Sequence, residues 1–210
     1  MRSLLECVQE MCRRLGKLPV TALDTDGVSL ASHLERAIKD ASRQVQSPGW
    51  FWNTKSGVET SSTLDKIYVN QLEQLVDDAG QTVYAEIFHV DTDGNDRDVN
   101  VVRNGNVLYN VSENTETFTG TLSLTYTYER PIYLVPEPFQ EWIIALASLS
   151  YQRQGRDFNN AKDQMLQADL ASARQKAIRE EVRTSDINFL DTTETRQFRG
   201  RPRMRDRSIY

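Results

Sequence analysis

Acids are the residues of this chain best placed to do chemistry. The run Asp91-Thr92-Asp93-Gly94-Asn95-Asp96-Arg97-Asp98 crowds carboxylates into one short segment, a composition that invites a calcium reading. An EF-hand loop needs glycine at its sixth position and a bidentate acid at its twelfth. Counted from Asp91, those places hold Asp96 and Val102, so the run reads better as a strand-connecting turn. A glycan hydrolase would need some pair among Asp91, Asp93, Asp96 and Asp98 to face a cleft, one carboxyl as acid and the other as base or nucleophile. The adjacent acids Asp77-Asp78 and Glu180-Glu181 are of a kind common on solvated faces. His33 and His89 stand alone in separate segments, without metal-ligand spacing. Cys7 and Cys12 are five apart in a helical stretch, which turns them to different faces and suits neither a disulfide nor a zinc site. A reduced intracellular origin is the default expectation. The chain has no G-x-S-x-G elbow, no phosphate-binding glycine loop and no H-E-x-x-H helix. The expectation is therefore a protein with no catalytic residue, no metal and no cofactor.

A second kind of chemistry resides at the C-terminus. Arg196, Arg199, Arg201, Arg203, Arg205 and Arg207 dominate a stretch without periodicity, interleaved with Phe189, Phe198, Ile209 and Tyr210. Guanidinium groups neutralise phosphates or pair bidentately with carboxylates on a protein partner. The interleaved apolar anchors favour protein docking, and a disordered solubilising end is the bland alternative. The expected contact residues toward a partner or a neighbouring subunit are Phe189, Arg196, Phe198, Arg199, Arg201, Arg203, Arg205 and Tyr210.

Whatever these residues do, helices and strands must hold them. The stretch Pro131–Tyr151 predicts a core helix starting at Pro136 or Pro138, where a missing N–H is harmless. On it Phe139, Trp142, Ile143, Leu146 and Leu149 form one face, with Ile144, Ala145 and Ala147 opposite. A helix so apolar must be covered on nearly all sides, yet Glu137 and Glu141 and its short run argue against a bilayer span. Ser3–Leu15 predicts a first amphipathic helix closed by Gly16. A second follows Asp24 or Asp26 as cap, carries Leu30, Leu34, Ala37, Ile38, Ala41 and Val45, and stops at Ser47-Pro48-Gly49. The aromatic cluster Trp50-Phe51-Trp52-Asn53 is expected to open a strand and to pack a ring under the core helix, so that Trp50, Trp52, Phe139, Trp142 and Ile143 organise the core.

From Thr54 to Glu129 the texture turns to short β-branched and aromatic runs. Strands are expected at Lys66–Asn70, Thr82–Val90 and Thr119–Tyr128, with a hairpin about Asn104-Gly105, while Leu72–Asp78 could be helix or strand. A fourth helix, capped by Asp157 and running to about Val182, is expected to pack through Phe158, Ala161, Met165, Ala168, Ala171, Ile178 and Val182, with Asp163 among its solvated residues. The fold class is α+β: a four-helix core (1–53 and 130–183), a β-rich insertion between helices two and three (54–129), and an extended arginine-rich tail (184–210).

The 210 residues carry a net charge of −5 and 39% hydrophobic content. That length affords a sizeable core, and the negative balance opposes nonspecific attraction of the whole surface to nucleic acid. Glu6, Gln9 and Glu10 interrupt any signal-peptide core.

Two stretches carry a family resemblance. Ala41-Ser42-Arg43-Gln44-Val45-Gln46-Ser47-Pro48-Gly49-Trp50-Phe51-Trp52-Asn53 resembles the helix-to-strand junction of the tail tubular protein A family of short-tailed bacteriophages, S-R-Q-I-Q-S-x-G-W-x-F-N. Tyr128-Glu129-Arg130-Pro131 through Pro136, Phe139, Trp142-Ile143, Ala147 and Tyr151 is similar to that family's Y-E-x-x-P-x-x-F-x-x-W-I helix start. The likeness spans roughly 1–182, and the insertion and tail match poorly. It implies a virion protein at the head-tail junction, assembled in the host cytoplasm as a dodecameric ring. Its implied partners are the portal, the nozzle (tail tubular protein B) and tail fibres, with genomic DNA passing without sequence-specific binding and no membrane contact. The alternatives are a nucleic-acid-binding protein gripping phosphates through its arginine tail, and a tail-borne glycan hydrolase.

Overall fold

The computed structural model describes residues 2–23, 29–61, 66–76, 81–92, 101–118, 121–154 and 159–184. Its first helix, α1 (Leu4–Arg14), opens with a capping box in which Ser3 and Glu6 each satisfy the other's backbone N–H. It ends as expected at Gly16, whose φ of +62° lets Gly16 and Lys17 donate back to Arg13 and Cys12 at 3.1 and 2.9 Å. Helix α2 (Leu30–Gln46) is capped by Ser29, which accepts from Ser32 N–H at 3.2 Å. The expected caps Asp24 and Asp26 lie outside the described residues.

A short 3-10 turn, Ile132–Leu134, leads into α3 (Glu137–Gln154). The Pro136 carbonyl accepts the first helical bonds, from Phe139 at 2.9 Å and Gln140 at 3.0 Å. Phe139, Ile143, Ile144, Ala145 and Ala147 are wholly buried, so α3 is enclosed as its composition required. Two polar groups travel with it. Gln140 donates to Ile132 O at 2.6 Å and Ser148 to Ile144 O at 2.7 Å, which removes the penalty of burying them unpaired. Helices α1, α2 and α4 (Asn160–Thr184) all pack on α3.

Between α2 and α3 lie the strands. β1 (Thr54–Ser61), β7 (Thr121–Tyr128) and β4 (Ile87–Thr92) form an antiparallel sheet in the order β1-β7-β4. β2 (Gln74–Val76) pairs with β3 (Thr82–Tyr84), and β5 (Val101–Asn104) with β6 (Val107–Asn110). Along β7 the buried residues Leu122, Leu124, Tyr126 and Tyr128 alternate with hydroxyl-bearing ones, the period-two pattern of a half-covered strand. Buried apolar residues form two clusters. One is drawn from the four helices with Trp52, Ile132 and Val135, the other entirely from residues between Ile67 and Tyr128.

Several local expectations are corrected. Trp50–Asn53 is a turn, and the strand begins at Thr54. Lys66–Asn70 is not a strand: Tyr68 makes an isolated bridge to Val107, and a 3-10 turn follows over Val69–Gln71. The run Thr82–Val90 divides into β3 and β4, in different sheets; Ala85 N–H still follows the β2–β3 register by donating to Glu73 O at 2.9 Å, and the chain joins β7 only from Ile87. The hairpin's two central residues are Gly105 and Asn106, with positive φ at Gly105 alone. That is the glycine-first pattern of a II′ turn.

Helix α4 differs from the expectation in register. Its buried residues are Asp163, Leu166, Ala173 and Ala177, with Leu170 packed beside them. Met165, Ile178 and Val182 are instead 51%, 38% and 60% exposed, and Ala161, Ala168 and Ala171 face outward with them. Asp163, expected in solvent, is buried and paired with Arg153 at 2.8 Å. Asn159 caps the helix by accepting from Ala161 and Lys162 N–H. Asp157 and Phe158 lie outside the described residues.

Candidate functional site

The two resemblance-bearing stretches meet in space where the chain leaves the helices for the strands and returns. Gln46, fully buried at the end of α2, accepts from Arg130 N–H at 2.8 Å and donates to Arg130 O at 2.9 Å and Ser42 Oγ at 2.8 Å. Asn53, equally buried, donates to Gln46 O at 3.0 Å and Tyr128 O at 3.1 Å, and accepts from Trp50 N–H at 2.7 Å. Tyr128 N–H donates to Asn53 O at 3.0 Å, and Arg130 Nη1 to Trp52 O at 2.9 Å. Residues 46–53 and 128–130 thereby form one closed knot of hydrogen bonds. From α4, Glu181 accepts from Phe51 N–H at 2.9 Å.

The expected core-organising residues come together against this knot. The Phe139 ring lies 5.1 Å from Trp50, 5.2 Å from Trp52 and 6.3 Å from Trp142, and Trp50 lies 5.7 Å from Trp142. The tilted and edge-on angles are those that aromatic quadrupoles favour. Ile143, one turn on, is wholly buried in the same cluster. Sequence reasoning named the aromatics and missed Gln46, Asn53 and Arg130. Their signal was a pair of amide side chains on either side of the helix stop Ser47-Pro48-Gly49.

The other candidates are dispersed. Phe189, Arg196, Phe198, Arg199, Arg201, Arg203, Arg205 and Tyr210 lie outside the described residues, as do Asp93, Asp96 and Asp98. Asp91 is exposed on β4, where it accepts from Thr92 N–H at 2.8 Å. His33 and His89 are exposed on α2 and β4. Cys7 and Cys12 are free thiols within the helical core, and burial pushes the Cys7 thiol up to about 11. Among the described residues no three His, Cys, Asp or Glu side chains gather as a metal site requires. No helix among them is long and apolar enough to cross a membrane.

Among the described residues, a cleft and a helix face lie open to solvent. The first is a cleft of about 360 Å³ between α2 and the β2–β3 hairpin, walled by Ile38, Leu75, Val83, Tyr84, Ile132 and Tyr133. Glu86 and Glu129 stand on its wall and share one guanidinium, that of Arg43, at 2.9 and 3.2 Å. Burial raises the Glu129 carboxyl above its usual range; Arg43 opposes that shift and the neighbouring Glu86 adds to it. The second surface is the outward face of α4. Over the 18 steps from Asn160 to Ile178, about 27 Å, its exposed side chains include Ala161, Gln164, Met165, Ala168, Ala171, Ser172, Gln175 and Ile178, and the exposed Asp169, Arg174 and Lys176 border them. Soluble helices put their charges on the face turned from the core. Here the charges Lys162, Asp169, Arg174 and Lys176 sit at the flanks instead.

A family model of the tail tubular proteins matches residues 5–187. The chain belongs to that family and is a structural protein of the bacteriophage virion tail, where it assembles with other phage head or tail components. A search of the curated proteins returned no match to it.

Proposed function

We propose that the chain is the repeating subunit of a head-to-tail adaptor, a closed ring of twelve copies between portal and nozzle that bounds the channel for the genome. The observation that supports this reading, beside family membership, is that one chain presents two exposed surfaces built from different residues, an apolar-walled cleft and the outward face of α4. A heterologous ring needs two unlike patches per subunit, since each copy offers one to its left and the other to its right. Nothing in the role calls for catalysis, a cofactor or base-specific contacts with DNA.

In this reading the helical part (1–53 and 130–183) and the tail (184–210) face the portal. The strands of 54–129 face the nozzle, tail tubular protein B, and the fibres. Interleaved arginines and aromatics in 184–210 suit a protein surface bearing carboxylates.

Native mass measurement of the full chain, alone and mixed with portal, tests the ring. Twelve copies on the portal are expected, and a free monomer is compatible because the template raises the local concentration of sites. Failure to bind portal, together with no density for the chain at the virion neck, overturns it. Deleting 184–210 is expected to abolish portal attachment with the fold intact. Undiminished attachment would refute the assignment of the tail.

A further inference from the structure

We propose that the neck binds one structural water molecule, held jointly by Trp52 Nε1, Arg130 Nε and Glu181 Oε2, which ties the last turn of α4 to both passages of the chain between helices and strands. The site belongs to the folded subunit and is independent of how copies assemble.

The three atoms are buried, and none has a hydrogen-bond partner among the described residues. Trp52 as a whole is only 7% exposed. A buried donor or acceptor left in that condition loses its hydration without compensation, which is why native proteins pair the great majority of such groups. The three also converge. Glu181 Oε1 accepts from Phe51 N–H at 2.9 Å, and Arg130 Nη1 donates to Trp52 O at 2.9 Å. Carboxylate and guanidinium therefore grip one dipeptide, each with its unpaired atom two covalent bonds from its paired one. The Trp52 side chain belongs to the same core cluster as Ala177, and Ala177 stands one turn before Glu181 on the buried seam of α4.

Donor and acceptor count selects the ligand. Trp52 Nε1 and Arg130 Nε each offer a proton, whereas a carboxylate oxygen takes one. A metal ion would be repelled by both N–H groups, and a simple anion by Glu181. Water suits all three, accepting from the two donors through its lone pairs and giving a proton to Glu181 Oε2. Buried waters commonly make about three hydrogen bonds to groups otherwise unpaired. A direct bond from either donor to Glu181 Oε2 would not satisfy the other donor so well.

The seam of α4 thus meets an acid at each end. Arg153 answers Asp163 with a two-pronged contact at 2.8 and 3.1 Å. At the other end the Phe51 N–H takes one oxygen of Glu181 and the water takes the second. Trp52 lies on the outgoing chain and Arg130 on the returning one, so a single molecule joins three segments distant in sequence.

Nuclear magnetic resonance on the purified full chain tests the site. The chain has three tryptophans, and W52F assigns the indole N–H of Trp52. Cross-relaxation from water is expected at the Trp52 indole proton and at the Arg130 Nε proton, its rotating-frame sign separating bound water from proton exchange. E181L, which removes the acceptor, is expected to abolish both cross-peaks. No water cross-peak at either proton of the parent overturns the proposal, and so do cross-peaks undiminished in E181L. Should E181L fail to fold, W52F decides: it keeps a ring against Phe139 and removes one donor, so the Arg130 cross-peak is expected to be lost. Its survival at full strength overturns the three-way site.

Discussion

Gln46 treats Arg130 as a strand would treat its neighbour, accepting from the backbone N–H at 2.8 Å and donating to the carbonyl at 2.9 Å across 84 residues of sequence. Replacing it with leucine keeps much of the volume and removes both partners. Leaving a buried backbone group unsatisfied costs about 1–3 kcal/mol, so Q46L is expected to lose roughly 2–4 kcal/mol. For a chain of this size that lowers the midpoint of thermal unfolding by roughly 5–15 °C. A melting curve that overlays the parent would show that the knot contributes nothing.

Gly49 closes the same turn at φ +83°, and an added Cβ would stand 2.9 Å from Thr127 Oγ1 and 3.1 Å from Thr54 Oγ1. G49A is expected to cost about 1–3 kcal/mol through left-handed strain and crowding. Adding T127A removes the nearer clash and is expected to return part of that loss, as positive coupling in a double-mutant cycle. Strict additivity in urea unfolding would contradict the contact.

The register of α4 is testable with neighbouring residues. L166A should cost about 2–5 kcal/mol, because Leu166 is wholly buried in the helical core. M165A, at an exposed position, is expected to stay within about 0.5 kcal/mol of the parent. Comparable losses from both would mean that α4 buries the other face.

Acid sensitivity should be centred on α1. Hydrogen bonds from Arg13 and then Arg14 hold the Glu10 carboxyl at about 2, below its ordinary 4.5. The native state therefore binds fewer protons than the unfolded chain between those values. The stabilisation is complete above pH 4.5 and is lost as the pH falls toward 2. E10Q is expected to destabilise at neutral pH and to converge on the parent near pH 2. Glu129 runs the other way: burial raises it, so its contribution falls as the pH climbs past the usual carboxylate range. E129Q is expected to improve relative to the parent from pH 4 to pH 7, a trend that chemical unfolding across that range checks.

Helix positions, the Gly16 stop and the alternation of β7 were legible because each follows from a local pattern of period or glycine. The face of α4 was not. Alanines lie on both of its sides, and the true seam of Asp163, Leu166, Leu170, Ala173 and Ala177 contains an acid that becomes buried only because Arg153 meets it. A periodicity count discards such a residue. The stripe it selected is real, but this chain leaves it uncovered. Trp50–Asn53 misled in another way: aromatic content favours a strand, while the Asn53 amide holds the backbone in a turn through bonds to carbonyls brought in from Gln46 and Tyr128. The cleft was invisible in the sequence because α2, the β2–β3 hairpin and residues 129–133 converge only in three dimensions.

Thr54 and Thr127 face each other on the first rung of the β1–β7 ladder, so outgoing and incoming chain are separated by one strand spacing, about 4.8 Å. Any module whose two ends arrive that far apart fits the same socket. The strands can therefore be exchanged wholesale while the helices that hold them keep their packing.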